Sequence, residues 1–157
     1  MTPVGPRSGE PARELLGGLA ARWGELTPYR VAGAGATYLR GEALLYVVPP
    51  LRSGPPWEYL VDEETLDDLL QADDTYLVLV GSGADDIWTV PADEAAFLIE
   101  GRVPQTGPQG ERAWRYYLAP QAGLLDSAQA KRWLLRAESN PKETVDVSLF
   151  RNAPPGG

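Results

Sequence analysis

Acidic side chains are the reactive groups this chain holds in quantity, and many come in pairs: Asp67-Asp68, Asp73-Asp74, Asp85-Asp86 and Asp93-Glu94. Neighbouring acids on a helix point about 100° apart, so such a pair is not by itself a general acid–base couple. Asp85-Asp86 falls where a hairpin turn is expected and could face a Ca²⁺ ion. The D-x-[DN]-x-[DN]-G spacing of a calcium loop is missing, however, and ordinary turn acids explain the pair. The 157 residues contain no histidine and no cysteine. That removes disulfides, Ser–His and Cys–His nucleophile pairs and histidine base catalysis. It also removes the usual zinc, copper and non-haem iron centres. A metal would need oxygen ligands alone, as Mg²⁺, Mn²⁺ or Ca²⁺ accept. No cofactor is expected, with Mg²⁺ entering only if carboxylates alone build a metal centre.

The basic side chains offer a second chemistry. Arg112, Arg115, Lys131, Arg132 and Arg136, with Trp114 and Tyr117 interleaved, combine cations with flat rings. Such a set suits phosphate contact and base stacking, so it is the candidate nucleic-acid surface. An ordinary helix surface beside a half-exposed strand is the plainer account of it. The net charge of −8 is unevenly spread: between Arg52 and Arg102 there is no Lys or Arg, while thirteen of the 22 acids lie there. Asp67, Asp68, Asp73 and Asp74 in that stretch are the candidate surface for a basic protein partner. Solvated helix acids and caps are the plainer account of them.

These side chains need elements to hold them. The central one runs from Tyr59 to Ile99: a helix over 62–70, a strand over 76–80, a turn over 81–86, a strand over 87–90 and a helix opening at Pro91. Asp62 is placed to cap the helix, with Glu63 and Glu64 in its first turn. Val61 and Leu66 have the spacing of a hydrophobic staple, and Leu66, Leu69 and Leu70 form an apolar face. Tyr76-Leu77-Val78-Leu79-Val80 lacks polar alternation, as a strand covered on both faces does. Gly81, Ser82 and Gly83 end it, and Pro91 suits a first helical turn.

Ahead of this unit, Ala12, Leu15, Leu16, Leu19, Ala20 and Trp23 make one stripe of a 3.6-residue period, with Pro11 near its start and Gly24 at its end. Strands are expected over 29–34 and 44–48, with 36–42 continuing the first or turning between them. Gly33-Ala34-Gly35 does not continue as G-x-G-x-x-G, since Tyr38 stands where the third glycine belongs, so a bulge or bend is expected. The proline-rich 49–57 and the 101–110 stretch read as loops. Trp114, Tyr116 and Leu118 alternate with Arg115 and Tyr117 as in a half-buried strand. A helix is expected over 127–138, capped by Asp126 or Ser127, with Ala130, Trp133 and Leu134 inward. Val145, Val147 and Leu149 alternate as a last strand. Residues 1–9 and 153–157 read as disordered tails around one compact domain over 10–152. The class is α/β in the α+β-like sense, a mixed sheet with helices on both faces. No apolar run approaches the roughly 20 residues that span a bilayer, and no apolar core of a signal peptide opens the chain, so a cytoplasmic location is expected.

The order of a helix and two strands, then 59–70, 76–80 and Ile87-Trp88-Thr89-Val90-Pro91-Ala92, resembles the PD-(D/E)XK restriction-endonuclease-like superfamily. There a strand-rich catalytic half is followed by a helix, an apolar strand and a hairpin ending in a Trp-x-x-Pro run. The resemblance spans residues 10–100 and rests on order and pattern. It implies DNA as partner and a centre with an acid ahead of an acid-x-Lys triplet that holds Mg²⁺. Residues 41–48 contain one acid, Glu42, and no lysine, and Glu58-Tyr59-Leu60 has leucine in the lysine position. The chain's lysines are Lys131 and Lys142, far downstream. No catalytic residue is therefore carried over. The expected function is a non-catalytic α/β binding or accessory protein, with a degenerate nuclease-like domain that contacts DNA as one form of it. The alternatives are a protein-binding or immunity-type module using its acidic centre, and a carboxylate-only Mg²⁺ nuclease with Glu42, Glu58 or Asp62 as ligands and Arg40 in place of the lysine charge.

Overall fold

The computed structural model describes residues 13–32, 35–106, 110–121 and 132–155. The order is α1 (Arg13–Trp23), β1 (Thr27–Ala32), β2 (Gly35–Arg40), β3 (Ala43–Val48), β4 (Trp57–Asp62), α2 (Glu63–Leu70), β5 (Thr75–Gly83), β6 (Asp86–Pro91), α3 (Ala92–Phe97), β7 (Gln105–Thr106), β8 (Arg112–Pro120), β9 (Trp133–Ala137) and β10 (Asn140–Asp146), then a 3-10 turn (Ser148–Phe150). They form one compact α+β domain with two five-stranded sheets. The first runs β1-β2-β3-β5-β6 and is mixed, because β3 and β5 pair parallel across the connection through β4 and α2. The second runs β10-β9-β8-β4, with β7 added on β8, and is antiparallel.

The unbroken apolar run of β5 has the environment expected of it. Leu45, Val47, Val78, Val80 and Ile87 face α1, whose Leu19 and Trp23 are buried against them. Tyr46, Val48, Leu77, Leu79, Trp88 and Val90 face the other way, onto α2, α3 and the second sheet. The first sheet thus carries helices on both faces, and the second sheet closes one side. The register shows why alternation fails as a signal here: Val48, Leu79 and Trp88 stand in one cross-strand row, and Val47, Val78 and Thr89 in the next. Both rows are covered.

α1 ends at Gly24, whose φ of +92° suits glycine, and its Gly18 lies so close to the β5–β6 hairpin that an added Cβ would sit 2.5 Å from that of Ala84. In α2, Asp62 caps Thr65 N at 3.0 Å, and Val61, Leu66 and Leu69 are buried, while Leu70 turns outward at 41% exposure. The inter-sheet core is threaded by hydrogen bonds from large polar side chains. The Tyr59 hydroxyl donates to Val80 O at 2.9 Å and that of Tyr116 to Ala95 O at 2.7 Å; Asn140 Nδ2 donates to Leu98 O at 3.1 Å. Burial pushes both tyrosines well above their ordinary pKa, which keeps them as donors.

Several expectations are corrected. The 133–137 part of the expected helix is strand β9: Trp133, Leu135 and Ala137 are buried, while Leu134 and Arg136 are half-buried on the opposite side. Trp-Leu-Leu fits a period of 3.6 or of 2, and pairing with β8 and β10 selects the second. Residues 126–131, with Lys131, lie outside the described residues, as do 1–12 and Gly33-Ala34. The last strand stops at Asp146, and Leu149 is 90% exposed in the 3-10 turn. β5 runs on to Gly83, so the hairpin turn is only Ala84-Asp85. β4, of which Trp57 is expected in a loop and Asp62 in the following helix, is a strand inside the second sheet.

The segment after β10 fastens the two sheets together. Trp88 of β6 meets Trp133 of β9 with ring centroids 4.7 Å apart, and the Arg151 guanidinium lies over both rings. Val147 N donates to Trp133 O, and Trp133 N donates to Ser148 Oγ. Asn152 exchanges hydrogen bonds with both the N–H and the carbonyl of Ile87, and Pro155 is buried. Arg151 also reaches Asp86 Oδ1 at 2.9 Å, while Ser82 donates its N–H and hydroxyl to Oδ2. Burial alone would raise the Asp86 pKa, but the Arg151 and Ser82 hydrogen bonds and the Arg151 charge outweigh it and hold the carboxyl below its usual range.

Trp88→Ala should therefore cost about 3–5 kcal/mol in urea denaturation followed by circular dichroism, whereas Leu149→Ala should stay within about 0.5 kcal/mol. A carboxylate with a depressed folded pKa stabilises fully above the ordinary aspartate pKa, and that contribution is lost as pH falls through the folded value. Stability measured from about pH 6 down to about pH 3 should thus fall further in the native chain than in Asp86→Asn.

Candidate functional site

The acid and base sets fall on different parts of this frame. α2 ends at Leu70, and the chain turns through Ala72-Asp73-Asp74 into β5. Asp74 takes a φ of +57°, a conformation aspartate tolerates, and accepts the Tyr76 hydroxyl at 2.7 Å. Thr75 Oγ1 donates to Leu69 O at 2.9 Å and Leu44 N to Asp74 O at 3.1 Å, so the turn is pinned on both sides. Hairpin register sets Tyr76 opposite Pro91, which brings the first turn of α3 to the same end of the sheet. The result is a cleft of about 340 Å³ with Leu70 and Ala92 in its wall and Asp73, Asp74 and Asp93 around it. Among the described residues, Asp67, Asp73 and Asp93 make no ion pair. Asp67 and Asp68 lie on the exposed side of α2, with Asp68 paired to Arg30 at 3.3 Å.

The basic set is differently placed. Trp114 is 6% exposed and points into the core, so it is not available for stacking on a base. Arg112 pairs with Glu63 at 2.8 Å, and Arg132 stands 4.0 Å from Asp146. Arg115 lies on the outer face of the second sheet between Glu58 at 2.8 Å and Glu138 at 3.3 Å. Glu58 is 9% exposed and also accepts from Arg52 at 3.1 Å. Arg136 covers the Tyr117 ring at 4.7 Å. Burial, then the Glu138 and Glu58 charges, push the Tyr117 hydroxyl above its ordinary pKa. That outer face is a mixed lattice of charge rather than a cationic stripe.

Nor do the nuclease carboxylates converge. Glu42 is exposed in the β2–β3 turn, Glu58 holds two arginines, and Asp62 is occupied as the α2 cap. Arg40 donates to Trp23 O at 2.7 Å. Among the described residues no group of three or more acids is arranged to hold a metal ion, and no helix is long and apolar enough to cross a membrane. Asp86, one of the turn acids, is taken by Arg151 and Ser82.

Two contributors to the acidic cleft escape a reading by neighbours in sequence: Asp93 and Leu70. Counting back across the β5–β6 hairpin is the signal that finds Asp93. Leu70 is missed because helical spacing places it with Leu66. No family model matches the chain, and neither a curated protein nor a solved structure is significantly similar to it.

If Glu58 and Glu138 are what silence Arg115, the Glu58→Gln, Glu138→Gln double variant should bind labelled duplex DNA more tightly than the native chain at low salt. Anisotropy across a salt series checks this, and the gain should fade as salt rises because it rests on phosphate contacts.

Proposed function

We propose that this protein is a non-catalytic binding module whose partner is a basic, amphipathic protein segment docked at the acidic cleft between α2 and α3. One observation carries the reading: Asp73, Asp74 and Asp93 surround a cleft walled partly by the half-exposed Leu70, in a stretch from 53 to 101 with no Lys or Arg. Unmatched carboxylates draw a cation from a distance, and the exposed leucine gives an apolar side chain something to bury against. Phe97 of α3, 52% exposed, adds a second apolar position on the neighbouring helix.

Contact with DNA through Arg112, Arg115, Arg132 and Arg136 has less support. Three of these four already face carboxylates, so a phosphate must displace an existing partner. Carboxylate-only Mg²⁺ chemistry has less still, because Glu42 lies in the β2–β3 turn, while Glu58 and Asp62 of β4 are engaged by two arginines and by the α2 cap. Nuclease-like descent is compatible with a binding module and is not required by it.

The test is a titration of the isotope-labelled protein with a short helical peptide of alternating Lys and Leu faces. Amide shifts should concentrate at residues 67–76 and 91–97, and Asp67→Asn, Asp73→Asn, Asp93→Asn together should weaken binding by about tenfold or more, equivalent to about 1.4 kcal/mol. Shifts spread over the second sheet, or an affinity indifferent to the triple change, would overturn the proposal.

A further inference from the structure

Two five-stranded open sheets present four edges, and the chain treats them differently. The β6 edge is closed by Asn152, hydrogen-bonded to Ile87, and by the Trp88–Arg151 bridge. On β4, Glu58 O accepts Leu51 N at 2.8 Å. β10 loses register between Asn140 and Val145 and shows Pro141, Lys142 and Glu143 to solvent. Such bulges, charges and prolines are the usual guards against strand pairing. β1 differs. Pro28 and a shift of register beside it guard its Thr27 end only. Beyond them Tyr29 is 58% and Val31 52% exposed, and no described backbone group outside β2 hydrogen-bonds to this strand. Leu16, Tyr29, Val31 and Tyr38 line a groove of about 300 Å³ alongside.

We propose that β1 pairs antiparallel with β1 of a second copy about a two-fold axis, joining the first sheets of both chains. An open strand edge presents alternating N–H and C=O groups, and the occupant complementary to it is another extended backbone. Charge leaves this edge open to a second copy. Two chains of net charge −8 repel, yet residues 26–41 contain no acid, and Arg30 is already matched by Asp68. The approach of two copies is least opposed through this sector. The same patch on each chain is buried, as an isologous contact requires, and exposed Tyr29 and Val31 supply cross-strand side-chain contact.

Sedimentation velocity of the full chain, from micromolar to near-millimolar concentration, tests this. The expected result is a reversible rise toward twice the 17.0 kDa mass, strengthened by added salt as the repulsion is screened. Tyr29→Lys with Val31→Lys should remain monomeric with an unchanged circular dichroism spectrum. A native chain that stays monomeric throughout, or a dimer that survives the double change, overturns the proposal. Should the variant misfold, hydrogen exchange on the native chain decides. Amides of residues 29–32 should exchange about tenfold more slowly at high than at low concentration, and equal rates would be decisive against pairing.

Discussion

The contact between Trp88 and Trp133 is the joint on which the architecture depends. Each sheet has one face that only the other sheet and two short helices can cover, so the fold exists only if the sheets are held together. An aromatic pair at this distance contributes about 0.5–1.5 kcal/mol beyond the area it buries, and a guanidinium over both rings adds a cation–π term. Arg151 is kept in place by Asp86, and Asp86 by Ser82 in the bulged end of β5. A chain of contacts therefore runs from the β5–β6 hairpin through the C-terminal segment to the far sheet. The final residues act as a structural strap.

That strap explains why polar groups are tolerated inside. Tyr59, Tyr116 and Asn140 each reach a backbone carbonyl on the opposing layer, that of Val80 in β5, Ala95 in α3 and Leu98 just beyond it. A buried hydroxyl or amide with a partner contributes about 1 kcal/mol, whereas one without a partner costs more than that. Such bonds form only at one separation and one register of the two layers. They add specificity to a packing that apolar contact alone would leave free to slide. The same rigidity reaches the acidic cleft, since α3 is gripped by Tyr116 and Asn140 while the Asp74 turn is gripped by Leu44 and Tyr76.

Much of the first sheet is legible in the sequence because its signals are local: the cap at Asp62, the unbroken apolar run of β5, the proline that opens α3. The second sheet is less so. β4 follows a proline-rich loop and leads straight into a helix cap, so its six residues have no turn of their own in front to mark them. β9 carries Trp133-Leu134-Leu135, which satisfies both periods, and only the partner strands decide between them. The site divides in the same way. That Asp73 and Asp74 belong to an unmatched acidic stretch can be read by counting charges. That Arg112, Arg115 and Arg132 are neutralised cannot, because their partners Glu63, Glu58 and Asp146 arrive through strand pairing and packing.

Charge count and charge availability are thus separate quantities, and function follows the second. The flanks of the chain carry all the basic residues, yet the folded arginines of the second sheet are largely spent within it. Glu58, nearly buried and facing two arginines, is the centre of that neutralisation: removing its charge would leave Arg115 with Glu138 alone. Asp67, Asp73 and Asp93 at the α2–α3 end have no such ion-pair partners among the described residues, because their stretch of sequence holds no base and the arginines that the strands bring to α2 pair with Glu63 and Asp68 instead. An electrostatic field that is cancelled on one surface and left standing on another is the condition for selecting a cationic partner over an anionic one. In this protein it arises from strand pairing and packing, which spend the arginines on the second sheet before any partner arrives.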